Sequence, residues 1–250
     1  MKYFETNNNG LSLNEFLEKE HQKYFEISKN SFLNDTKIEF YRESFFKIIK
    51  RIVQEKRSEV LAYLSTIPSE EITNINQFIV SFNIKSKILE KNYTLISPAL
   101  INKYIEIHED LNKLFEKQIR IAYGILKILN KETNKNDSNN FKDTERIDTY
   151  TMYKYLKSNT DFKNLVEPFT TLKFNAEKHI KYRKKPSKKE IVFDANDDKN
   201  KIEEKDRTMS YIDFLQNTKE IFAVLYILRF RDGIRLVEIQ KINEYIKNFK

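Results

Sequence analysis

The chain has 250 residues, of which 40% are hydrophobic and 13% aromatic, enough to bury an ordinary core in one large or two small domains and too much for a disordered polymer. It contains no cysteine, which excludes disulfides, thiolate metal sites and a cysteine nucleophile. The 45 Lys and Arg outnumber the 37 Asp and Glu to give a net charge of +8. An AT-rich genome alone favours such a Lys- and Asn-rich composition, so the distribution of the charge matters more than its sum.

Three Gly and four Pro in the whole chain are too few for a β-rich fold, which needs many turn residues, and predict long helices joined by polar loops. Met1 to Leu13 lacks the apolar stretch of a secretory signal, and no window approaches the ~18 consecutive apolar residues that span a bilayer. The expectation is a cytoplasmic protein with no membrane partner.

In chain order, Ile38 to Ser65 carries Phe45, Ile48, Ile49, Ile52, Val53, Val60, Leu61 and Leu64 at helical spacing, predicting one long amphipathic helix. Pro68 and "SEEI" mark the start of a second, with Ser69 as its cap, running to about Leu89. Pro98 opens a third, in which Leu100, Ile101, Tyr104, Ile107, Leu111, Leu114, Phe115, Ile119, Ala122, Ile125, Leu126 and Leu129 keep a three-four rhythm. The Asn-rich run "NKETNKNDSNNFKDTE" after it has Phe141 as its only large apolar residue and reads as a surface loop, with 133–149 as the one candidate boundary. It separates an N-terminal helical region, 1–132, from a C-terminal one, 150–250. Beyond it, helical patterns span Tyr150 to Leu156 and Phe162 to Ile180. Ile191 to Phe193 reads as a short strand after a Pro186-Ser187 turn, the acidic-basic run that follows reads as a loop, and Thr208 or Ser210 caps a last helix from Tyr211 through Phe230. The fold class is all-α, a helical bundle with a short β-hairpin or strand insertion.

The charge is local. Residues 172–189 hold Lys173, Lys178, Lys181, Arg183, Lys184, Lys185, Lys188 and Lys189 against the single acid Glu177, a surplus of seven within the chain's +8. With Phe174 and Tyr182 interleaved, such a cluster can neutralise phosphates and offer rings for base stacking. The alternative is a lysine-rich loop that serves solubility. His179 lies within the cluster and is the side chain suited to acid-base work near neutral pH. A surface histidine at a helix C-terminus is the structural alternative. His21 and His108 sit in charged helical patterns and are assigned structural roles.

Asn175, Ala176, Glu177 and His179 in "KFNAEKHIKY", followed by a basic turn, the "EIVF" strand and the helix "MSYIDFLQNTKEIFAVLYIL", resemble the C-terminal part of HEPN-domain proteins, especially those of abortive-infection and toxin systems. The resemblance covers about 150–230. It implies a HEPN-like C-terminal part, a homodimer whose two motifs face one cleft, and metal-independent endoribonuclease activity without a cofactor. It also implies a bacterial antiviral-defence or toxin-antitoxin setting, with an antitoxin or defence-complex subunit as protein partner. Under it His179 is the acid-base group and Asn175 orients it or the phosphate. Where the family has Arg this chain has Phe174, so the substitute cation is Lys173 or Arg183. Lys is not an equivalent of Arg, since it brings a point charge without a bidentate fork. Tyr182 and Arg183, three and four residues after His179, share its face if the helix continues that far. Lys178, Lys181, Tyr182, Lys184, Lys185, Lys188 and Lys189 then contact the RNA. Two other readings stay open: a non-catalytic HEPN-like module for dimerisation and for RNA or protein binding, and an unrelated helical bundle whose basic turn contacts DNA or a regulatory partner. No Gly-rich phosphate loop, zinc-protease motif, nucleophile elbow or calcium loop competes.

Overall fold

A computed structural model describes residues 35–75, 77, 96–130, 140–169, 181–194, 208–230 and 234. Helix α1, Asp35–Glu55, buries Phe45, Ile48, Ile49 and Ile52 at the three- and four-residue spacing that lines up one face. The helix expected to run unbroken to Ser65 stops at Lys56, where φ −142° and ψ 28° leave the helical region, and resumes as α2, Arg57–Ser65. The six polar residues from Gln54 to Glu59 offer nothing to the core, and the break lets Val60, Tyr63 and Leu64 bury on a new line. Helix α3 covers 69–75. Its first turn closes on the Pro68 carbonyl, which accepts from Ile72 N–H at 3.2 Å. Pro68 rather than Ser69 thus holds the cap position, and Ser69 lies inside, its carbonyl accepting the Thr73 hydroxyl at 2.9 Å. The stretch expected to carry this helix on to Leu89 lies outside the described residues, apart from residue 77.

Helix α4, Pro98–Leu129, is 32 residues long. Proline fits its first turn, where no intrahelical N–H bond is lost, and the Ser97 hydroxyl accepts from Leu100 N–H at 3.2 Å. Packed against α2 before the supposed boundary and, further along the chain, against the helices within and beyond it, α4 is the spine of the molecule. Phe141 is not in a surface loop. It opens a 3-10 helix, Phe141–Arg146, is 4% exposed, and donates its N–H to Thr66 Oγ1 at 2.9 Å. One contiguous core joins Phe45, Leu111, Phe141, Leu156 and Phe214.

Helix α5, Thr149–Ser158, is capped by Asp148, and α6, Lys163–Val166, is a single turn extended to residue 169 by 3-10 structure. The remainder of the helical pattern expected to reach Ile180 lies outside the described residues. Then come β1, Lys181–Lys185, β2, Glu190–Asp194, and β3, Thr208–Ser210, in a three-stranded antiparallel sheet ordered β1-β2-β3. The chain passes directly from β3 into helix α7, Tyr211–Ile227. Of Thr208 and Ser210, Ser210 is the cap, its hydroxyl accepting from Asp213 N–H at 3.1 Å. Helix α7 packs on α4, α1, β2 and β3. The described fold is mostly helical with a small antiparallel sheet, and among the described residues no helix is long and apolar enough to cross a membrane.

Candidate nucleic-acid interface

The basic residues after His179 form strand β1 and the turn that follows it. A run of Lys-Tyr-Arg-Lys-Lys has no apolar alternation, and its extended state comes from its neighbour. Ile191 and Val192 of β2 are fully buried, β2 lies in the middle of the sheet, and β1 completes its hydrogen bonding as an edge. Charged side chains, lysine above all, are what edge strands commonly carry, because they discourage pairing with another chain.

The register sets which cations of β1 stand opposite an acid of β2. Lys181 stands opposite Asp194 and Lys185 opposite Glu190, whereas Arg183 stands opposite Val192 and Lys184 opposite Ile191. Lys184 is tied down: its Nζ donates to Asn102 Oδ1 of α4 at 2.6 Å. The turn is closed by Lys188 N–H on the Lys185 carbonyl at 3.1 Å and Lys189 N–H on the Pro186 carbonyl at 3.2 Å. Lys189 has a positive φ of 53°, and its carbonyl accepts Tyr211 N–H, the first helical amide of α7, at 2.8 Å. Lys188 and Lys189 are exposed, and neither ammonium has a hydrogen-bond or ion-pair partner among the described residues. The hairpin end is therefore held at three points, on Asn102, on the α7 N-terminus and through β2 in the core, with two cations at its tip. Chemically, that arrangement can bind a polyanion by displacing its counterions.

No family model, curated protein or solved structure matches the chain.

Of the residues expected at the site, Lys184, Lys185, Lys188 and Lys189 come together at the hairpin end, with Lys181, Tyr182 and Arg183 along the same strand. His179, Asn175, Lys173 and Lys178 lie outside the described residues, as does His21. The condition under which Tyr182 and Arg183 would share a face with His179, a helix that continues that far, is not met: from Lys181 the backbone is extended, so three- and four-residue helical pairing does not apply to them. His108 has the structural role assigned to it, though not on a charged surface. It is fully buried, its ring centroid lies 5.2 Å from that of Phe214, and burial pushes its pKa down to about 3, so it is neutral at physiological pH. Among the described residues no group of His, Asp or Glu gathers in a way that could hold a metal ion. Asn102 and the Tyr211 amide, which fix the hairpin, were not legible in the sequence: Asn102 is 82 positions from its partner, and no local signal links them.

Proposed function

We propose that the chain binds RNA through the β1–β2 hairpin and acts on it as a HEPN-like, metal-independent endoribonuclease. The observation that carries the reading is the concentration of cations on an anchored hairpin, with Lys188 and Lys189 exposed at its tip. In the reaction His179 takes the proton of a ribose 2′-hydroxyl as its oxygen attacks the adjacent phosphorus. The 5′-oxygen leaves and gains a proton, and a 2′,3′-cyclic phosphate remains. Asn175 orients the imidazole or the phosphate, and Lys173 offsets the charge that builds on the phosphoryl oxygens, the kind of interaction whose removal typically costs several kcal/mol of transition-state stabilisation, while Arg183, in strand β1, is left to contact the RNA backbone. The active form is a homodimer with two motifs at one cleft, in a bacterial defence or toxin-antitoxin setting with a protein partner. A second reading, a non-catalytic module that binds RNA or protein, is favoured by Phe174 at the family's Arg position and by Arg183 lying in a strand.

The test is cleavage of labelled single-stranded RNA and transfer RNA in EDTA, comparing the wild type with His179→Ala, with light scattering at micromolar concentration for the dimer. Cleavage to cyclic phosphate ends that is lost in the variant is the expected result. RNA binding without cleavage, equal in both proteins, would replace the nuclease by the binding module, and a wild type that binds no RNA would remove the nuclease and leave the module only as a binder of protein.

A further inference from the structure

Lys189 occupies a backbone conformation that suits another residue. Its φ of 53° lies in the left-handed region, where a side chain crowds the following carbonyl and glycine, or to a lesser degree asparagine, is preferred. The conformation is over-determined by its surroundings: the Lys189 N–H closes the turn on Pro186 and its carbonyl receives the Tyr211 amide. A lysine needed only for solubility serves equally at the exposed Ser187 or Pro186 positions, where no such strain arises. At position 189 the ammonium projects from a backbone bonded on both sides, next to Lys188 and with no competing partner among the described residues.

The chemistry of the tip also limits what it can read. The described side chains from 184 to 192 are Lys, Lys, Pro, Ser, Lys, Lys, Glu, Ile and Val. None is an amide, a guanidinium or an aromatic ring, so the tip lacks the planar paired donors and the stacking faces on which most base recognition rests. Ammonium groups on flexible stems contact phosphates, which carry no sequence information.

We infer that the turn Pro186–Lys189 is a preformed, sequence-independent contact for the phosphodiester backbone, with Lys189 held in a strained conformation to place its charge beside that of Lys188. This deepens the RNA-binding reading above and rests on it. It makes binding by the tip separable from any chemistry at His179.

The experiment measures the affinity of the full chain for three fluorescein-labelled 20-nucleotide RNAs of unrelated sequence across a salt series, together with thermal stability. It uses wild type, Lys189→Gly, Lys189→Asn and the control Lys142→Ala, which removes one exposed charge from the 3-10 helix. Lys189→Gly should raise Tm by roughly 2 °C through relief of the left-handed strain. It should weaken all three RNAs several-fold and equally, and reduce the slope of log K against log salt by about one. Lys189→Asn should match it in binding, and Lys142→Ala should leave binding near wild type. Wild-type affinity and slope in Lys189→Gly, or a loss no larger than in Lys142→Ala, would overturn the inference while leaving RNA binding intact. So would a loss confined to one sequence. Absence of binding by the wild type would instead overturn the RNA reading on which the inference stands.

Discussion

Replacing Gly124 by alanine sets two well-characterised effects against each other. Gly124 lies inside α4, where alanine is favoured over glycine by about 1 kcal/mol on helix propensity alone. Opposite it, the Tyr63 ring from α2 packs directly on the helix backbone, and a Cβ at 124 would lie 2.7 Å from Tyr63 Cε2 and closer still to the ring tip. The ring has little freedom to retreat. Tyr63 is 1% exposed, and its hydroxyl donates to the Arg120 carbonyl at 3.2 Å. Burial also raises its phenol pKa above the ordinary value, so the hydroxyl stays protonated as a donor. Overpacking a fixed core contact costs about 1–3 kcal/mol, and displacing the ring forfeits a hydrogen bond with a net contribution of about 1 kcal/mol. The clash outweighs propensity, and Gly124→Ala should be destabilised by about 1–3 kcal/mol.

Urea denaturation of wild type, Gly124→Ala, Tyr63→Leu and the double variant checks this. Tyr63→Leu alone should also be destabilised, since it empties part of a buried site. In the double variant the new methyl occupies space that the ring has vacated. The cycle should therefore show a favourable coupling of about 1–3 kcal/mol between the two positions. A Gly124→Ala protein as stable as wild type or more so would show that the ring yields freely, and the argument for a tight α2–α4 contact would fail.

His108 is buried and neutral, with a pKa lowered to about 3 in the fold against about 6.5 when unfolded. Its contribution to stability is complete above pH 6.5 and is lost as pH falls toward 3. The difference in unfolding free energy between wild type and His108→Gln should therefore change by about 1.4 kcal/mol per pH unit inside that window and be flat above it. Thr66→Val removes the acceptor of the Phe141 N–H and should cost about 1–3 kcal/mol by leaving a half-buried amide unsatisfied, visible as faster hydrogen exchange at Phe141. Asp161 accepts from Arg51 Nη1 at 2.8 Å and lies 3.5 Å from Lys47 Nζ. With its own side chain only 16% exposed, Asp161→Ala should lower stability by about 1–2 kcal/mol in denaturant titrations, more than an ion pair in open solvent would.

What could be read in advance follows from where the information lies. Helix α4 was legible from end to end because its first-turn proline and its apolar rhythm are both local, and each agrees with the other. Ser210 and the Ile-Val-Phe strand were legible for the same reason. The break at Lys56, the 3-10 helix at Phe141 and strand β1 were not, since each depends on a distant group: the core that Val60 and Tyr63 must reach, the Thr66 hydroxyl, and β2. A strand of Lys-Tyr-Arg-Lys-Lys exists only as the edge of a buried neighbour, and three-residue β3 is too short to carry a period of two. At the candidate site, the lysines stood out by composition, whereas the anchors that give them a fixed geometry, Asn102 and the Tyr211 amide, did not.

The strand at 181–185 changes what Arg183 can be asked to do. On a helix it would lie one turn from His179 and could serve as the missing phosphate-binding cation. In an edge strand each residue advances the backbone by about 3.3 Å and successive positions alternate between the two faces, so Arg183 shares its side with Lys181 and Lys185 rather than following His179 around a helix. In the register its cross-strand neighbour is Val192, whereas Lys181 and Lys185 stand opposite Asp194 and Glu190. Arg183→Gln should then behave as the loss of one backbone contact: weaker RNA binding, a salt slope shallower by about one, and single-turnover cleavage at saturating protein unchanged. A variant with wild-type affinity whose single-turnover rate falls a hundredfold or more would refute this and return Arg183 to the reaction as the group that stabilises the charged phosphorane.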